Sequence, residues 1–190
     1  MTKSILRVRD MTWMAMFVAL LAISGMFSIP VGPVPITLQT LMVMLAGSVL
    51  GAKRGFVSMV VFILLAAVGA PVLSGGGGGI ASLIGPTGGY IFSWPFAAFF
   101  IGWIIEKWGS AVWKLMLAHI IGGIVLVHLV GFSWLVSYLH LPLNMKTFIT
   151  SLFIFLPGDL VKAVVAAPVV SAVYKAVPTL RPGQGQNAVS

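Results

Sequence analysis

Between two strongly apolar stretches lie Pro71-Val72-Leu73-Ser74, the run Gly75 to Gly79, and Ile80-Ala81-Ser82-Leu83-Ile84-Gly85-Pro86-Thr87-Gly88-Gly89-Tyr90. Five consecutive glycines lose too much backbone entropy to hold a helix. Pro71 and Pro86 each remove a backbone donor. The whole segment is therefore predicted to be non-helical, while both flanks read as membrane helix. In hydrocarbon, irregular backbone persists only where protein or a water-filled cavity covers it. Such a loop points to a lid, a re-entrant segment or a cavity wall. Glycine has no side chain, so a ligand can lie on the backbone and meet its N–H and C=O groups. A plain tether is the alternative reading. Ile80, Leu83, Ile84 and Tyr90 argue against it, because tethers are richer in Ser, Asn or charge.

The membrane reading rests on composition. Of 190 residues, 59% are hydrophobic and 7% charged, against about 25% charged in a soluble domain. With no cysteine there is no disulfide frame, thiol nucleophile or cysteine metal site. The formal charge of +8 is read as setting topology, not as binding nucleic acid. The start of the chain is not expected to be a cleavable signal, because its first apolar stretch has span length.

Six spans are predicted in one all-α bundle: Met11–Ser28, Ile36–Leu50, Phe56–Gly69, Gly89–Ile105, Ala111–Leu139 and Thr147–Ala176. The first four are near or somewhat short of the ~20 residues a bilayer needs, and the last two are long. The glycine loop then joins the third and fourth helices. Breaks are expected near Gly131 and at Pro157-Gly158. Residues 1–177 form the membrane domain, and 178–190 read as a polar, disordered tail. With the N-terminus inside, nine basic residues fall on inner segments (Lys3, Arg7, Arg9, Lys53, Arg54, Lys107, Lys114, Lys175, Arg181) and only Lys146 on an outer one. Both termini are therefore expected in the cytoplasm. The proline-rich connection Ile29–Pro35 joins the glycine loop on the outer face.

The acids are Asp10, Glu106 and Asp159. Asp10 and Glu106 stand at span ends beside Arg9 and Lys107 and read as solvated interface charges. Asp159 lies in the apolar stretch Phe155-Leu156-Pro157-Gly158-Asp159-Leu160-Val161-Lys162. Ionisable residues inside a membrane are costly and mark functional sites. Asp159 and Lys162 share a helix face, and Pro157-Gly158 would open that helix with Asp159 near its positive end. An ion pair that only holds the bundle together is the competing reading. Gln39 offers amide donors and an acceptor beside Thr37 and Thr40, for a neutral heterocycle or an interhelical bond. His119 and His128 do not share a face and have no acid nearby in sequence, so no metal site is expected. No catalytic set and no nucleotide motif are present. Ala15 and Ala19, extended by Ala22 and Gly25, form a small-residue face for internal packing or a partner.

Four segments carry a family resemblance: Pro33-Val34-Pro35-Ile36-Thr37-Leu38-Gln39, Gly69-Ala70-Pro71-Val72-Leu73-Ser74-Gly75-Gly76, Gly85-Pro86-Thr87-Gly88-Gly89-Tyr90 and Pro157-Gly158-Asp159-Leu160-Val161-Lys162. In this order they resemble the BioY family, the biotin-binding S components of energy-coupling-factor (ECF) transporters. The resemblance implies a six-helix S component in a bacterial plasma membrane. Biotin, the transported substrate and no cofactor, would sit near the outer face under the loops after the first and third spans. A T component would dock on Ala15 and Ala19, and two ABC-type ATPases would supply ATP hydrolysis. Biotin would contact Gln39, Ser74, Gly75, Gly76, Gly78, Gly79, Tyr90, Asp159 and Lys162. Asp159 would accept a ureido N–H, Lys162 would donate to the ureido carbonyl, and Tyr90 would pack on the sulfur ring. An S component for another small vitamin and a non-transporting membrane scaffold stand as alternatives. An enzyme is the weakest reading.

Overall fold

The computed structural model describes residues 8–142 and 145–182. Lys3, Arg7, the Lys146 side chain and the tail from residue 183 lie outside the described residues. α1 (Val8–Met26) ends where Ser28–Ile29 (β1) pairs antiparallel with Ile36–Thr37 (β2). Pro30, Pro33 and Pro35 lie between these two short strands, where no helix can continue. Then come α2 (Gln39–Ala67), α3 (Ile80–Leu83), α4 (Gly88–Trp108), α5 (Val112–Ala118), a π-helical stretch (His119–Leu126), α6 (Val127–Leu139) and α7 (Met145–Ala176). Among the described residues, five helical rods are long and apolar enough to cross a membrane: α1, α2, α4, Val112–Leu139 and Leu152–Ala176.

The expected second and third spans are one element, α2, bent at Gly51, whose φ is +79°. In a straight helix, residues eight apart are separated by about 12 Å. Here a Cβ built on Gly55 would lie 3.2 Å from Gly47 Cα, so the two arms of α2 lie against each other. α4 packs along both. A Cβ on Gly47 would stand 2.6 Å from Ala98 O, and one on Gly102 would meet Ala52 N. Small residues let helices approach closely where lipid is as apolar as any side chain.

Of the two acids at this end, Glu106 is exposed as expected and Asp10 is not, and both have protein partners. Glu106 Oε1 accepts the Ala52 backbone N–H at 2.9 Å and so holds the α2 bend. Asp10 is buried and pairs with Arg54 at 3.1 Å, across helices. Deeper in the bundle, His119 Nδ1 donates to Ala163 O at 3.4 Å, and its Nε2 lies 2.8 Å from Ser48 Oγ. Tyr174 OH donates to Ser48 O at 2.6 Å. Buried polar groups need such partners, and these tie α2, the π stretch and α7 together.

Helix intrudes on the glycine-rich segment. Ser74–Gly76 forms a 3-10 turn and Ile80–Leu83 one helical turn. The glycine argument holds only to Gly79. Ile80-Ala81-Ser82-Leu83 contains neither Gly nor Pro, and Gly79 O accepts from the Ser82 and Leu83 amides. α6 runs through Gly131 unbroken. A Cβ there would collide with the Tyr90 ring, so Gly131 makes room for tyrosine. α7 likewise continues through Pro157-Gly158 and Pro168. Membrane helices tolerate proline when neighbours re-satisfy the freed carbonyls. Asp159 is therefore mid-helix and gains nothing from a helix N-terminus. Beyond α7, Pro178–Leu180 forms a 3-10 turn. Leu180 packs on the core and Arg181 Nε donates to Ser110 Oγ at 3.1 Å, so this part of the expected tail is folded.

Gly158 has nothing within 4 Å of where a Cβ would sit. Gly158→Ala is expected to leave thermal stability in detergent unchanged or raised, by up to the ~1 kcal/mol of helix propensity. Fluorescence-monitored unfolding checks this.

Candidate functional site

A cavity of about 400 Å³ lies between the β ribbon, the loop before α4, and helices α2, α4, α6 and α7. Its polar wall begins with the expected pair. Lys162 Nζ lies 2.8 Å from Asp159 Oδ1, and both side chains are buried. Thr40 of α2 joins them. Its hydroxyl donates to Asp159 Oδ1 at 3.2 Å and accepts from Lys162 Nζ at 2.9 Å. His128 of α6 completes the cluster. His128 Nδ1 donates to Ile124 O at 3.0 Å, and Nε2 faces Asp159 Oδ2 at 3.4 Å, outside hydrogen-bond geometry. The imidazole stands edge-on to Tyr90 and beside Phe155, with ring centroids 6.0 Å away in each case.

Sequence spacing pointed to the Asp159–Lys162 contact but not to His128. No acid lies near His128 along the chain, yet packing of α6 on α7 brings Asp159 to it. The available signal was chemical: a carboxylate buried in an apolar bundle requires several partners.

The four segments singled out in the sequence converge on this cavity. Pro33 to Thr37 and Gln39 contribute to its wall, as do Leu73 and Ser74, Gly85 to Thr87 with Tyr90, and Asp159 with Lys162. The chain as a whole is similar to known proteins. The family model described as BioY family matches residues 1–179. The chain belongs to the BioY family. It is 40% identical over 182 residues to the biotin transporter BioY of Rhizobium etli, covering 90% of this chain and 96% of that one. It is 40% identical to the probable biotin transporter BioY of Bacillus subtilis, covering 85% and 88%. A crystal structure of the S-component for biotin from an ECF-type ABC transporter matches with a TM-score of 0.83 at 37% identity, over 88% of this chain and 92% of that one.

Within this BioY frame the expected site residues divide into two groups. Gln39, Ser74, Tyr90, Asp159 and Lys162 line the cavity; Gly75, Gly76, Gly78 and Gly79 do not, although Gly77 does. Gly75, Gly76 and Gly79 have positive φ and turn the loop, while Gly78 lies where a Cβ would strike Ala70 O. Gln39 is 2% exposed and spends its amide N–H groups on the protein: Nε2 donates to Val72 O at 3.3 Å and Leu21 O at 3.5 Å. It thereby anchors the glycine loop to α1. Trp94, one turn below Tyr90 on α4, also lines the cavity, and its indole N–H has no partner among the described residues. Ala15 and Ala19 do not line the cavity and lie on the exposed face of α1. That face does not extend to Gly25, which is buried against Gln39 and Val72.

Proposed function

We propose that this chain binds biotin in the Asp159–Lys162 cavity and carries it across a bacterial plasma membrane as the S component of an ECF transporter. The observation that carries the reading is the convergence of all four BioY segments on one cavity. Its volume of about 400 Å³ falls within the roughly 300–1,000 Å³ of small-molecule sites. The chain serves as a transporter subunit, not an enzyme. A T component and two ABC-type ATPases supply the energy. Counting the arms of α2 separately gives six membrane passes, with both termini in the cytoplasm. In support, the N-terminal turn of α1, the α2 bend, the α4–α5 turn and the end of α7 carry Arg9, Lys53, Arg54, Lys107, Lys114, Lys175 and Arg181.

Asp159 Oδ1 is taken by Lys162 and Thr40. Oδ2 is left to accept a ureido N–H of biotin. Two of the three ammonium hydrogens of Lys162 are used, and the third reaches the ureido carbonyl. Tyr90 packs on the thioether ring, and the carboxylate points toward Ser74 and the outer loops. Gln39 and the glycines that turn the loop act by shaping it.

Radiolabelled biotin retained by the detergent-purified chain, with riboflavin and thiamine as comparators, tests the reading. Selective biotin retention is expected; selective retention of another vitamin would reassign the substrate. The docking face makes a separate prediction. Leucine at both Ala15 and Ala19 is expected to leave biotin binding unchanged and to abolish both co-purification with the T component and cellular uptake.

A further inference from the structure

α4 runs from Gly88, beside the biotin cavity, to Trp108 at the other end of the bundle. There a second cavity of about 430 Å³ is lined by Ser110, Ser171, Tyr174, Lys175, Pro178 and Arg181. It lies between the α4–α5 turn, the last turns of α7 and the 3-10 turn that follows. We propose that it binds the phosphate headgroup of an acidic phospholipid.

Three observations carry this. The first is unspent cationic chemistry. The Arg181 guanidinium uses Nε on Ser110 Oγ at 3.1 Å, which orients its fork. Among the described residues, its two Nη groups and Lys175 Nζ have no acceptor and no ion pair. A guanidinium fork matches phosphate oxygens bidentately, and an ammonium adds a point charge. The second is composition: the lining contains two cations and the hydroxyls of Ser110 and Ser171, but no carboxylate. Neither acid at this end contacts Lys175 or Arg181 among the described residues: Asp10 pairs with Arg54, and Glu106 accepts the Ala52 amide. The third is depth. Trp108 and Trp113 flank the α4–α5 turn at 51% and 60% exposure, and Lys114 Nζ lies 5.4 Å from the Trp113 ring centroid. Exposed tryptophans of membrane proteins gather at headgroup level, and basic pockets between helices at that level bind acidic lipids. The flanking tryptophans thus put the pocket at the height of lipid phosphates.

The test is native mass spectrometry of delipidated protein titrated with equimolar phosphatidylglycerol and phosphatidylcholine. Wild type is expected to favour phosphatidylglycerol by about tenfold or more, and Lys175→Gln with Arg181→Gln to remove the preference. Biotin retention and melting temperature without lipid should not change in the variant, which separates lipid binding from folding and from the substrate site. Equal binding of the two lipids by wild type would overturn the proposal. So would a preference that survives both substitutions. Displacement of phosphatidylglycerol by inorganic phosphate at comparable concentration would assign the pocket to a soluble anion instead.

Discussion

Asp159→Asn is expected to abolish biotin retention and to destabilise the bundle. The carboxylate holds the only negative charge among the residues lining the cavity. It meets Lys162 at 2.8 Å, Thr40 at 3.2 Å and His128 at 3.4 Å. Asparagine keeps the shape and one acceptor oxygen but leaves the buried Lys162 ammonium without a counter-charge. Removing one partner of a buried pair costs on the order of 3–5 kcal/mol. The variant should therefore unfold at a clearly lower temperature and lose radiolabelled biotin binding. A second variant separates the two effects. Asp159→Leu combined with Lys162→Met replaces both charges by apolar groups of similar size, an exchange that is often neutral or stabilising. It should recover much of the stability and none of the binding. Biotin binding at wild-type strength in Asp159→Asn would move the ureido contact away from Asp159. Recovery of binding in the double variant would reduce the pair to a helix clamp.

Gly102→Ala is expected to prevent recovery of folded protein. A Cβ at this position would fall within 2.3 Å of Ala52 N, 2.5 Å of Gly51 C and 2.7 Å of Ala52 Cα. All three are backbone atoms of the α2 bend, and Gly51 already needs φ +79° to make that bend. A rotamer change cannot relieve the clash. α4 must move away, which also stretches the 2.9 Å bond from the Ala52 amide to Glu106. Overpacking costs roughly 1–3 kcal/mol when side chains can give way, and here the rigid backbone places the cost at or above the top of that range. Size-exclusion chromatography and thermal unfolding, with Gly158→Ala as the tolerated control, read the result. Monodisperse Gly102→Ala protein melting at the wild-type temperature would contradict the close packing of α4 on the α2 bend.

Membrane insertion was legible from the linear chain, because few charges and long apolar runs are sums over residues. The Asp159–Lys162 contact was legible because its spacing of three is a local helical relation. The glycine loop was legible as a turning segment but not as a direct wall. Whether Gly77 or Gly78 faces the cavity depends on where Ala70 and the α1 contacts hold the loop. The four segments were readable as a set, through their resemblance to BioY, before any of them could be seen to touch.

By itself the sequence determined that the chain is a helical membrane bundle, that one buried carboxylate and one buried ammonium share a helix face, and that its loops belong with BioY. The first two reside in composition and near-neighbour spacing, and the third in the resemblance of four segments to the family. Tertiary structure alone decided that Glu106 holds the α2 bend, that Asp10 pairs with Arg54 and not Arg9, and that Gln39 anchors a loop. It also decided that His128 and Thr40 complete the charge cluster at Asp159. Each of these contacts joins residues dozens of positions apart, and none has a periodic signal along the chain. They follow from which small residues let which helices come close, and from the cost of leaving a polar group unpaired in a bilayer.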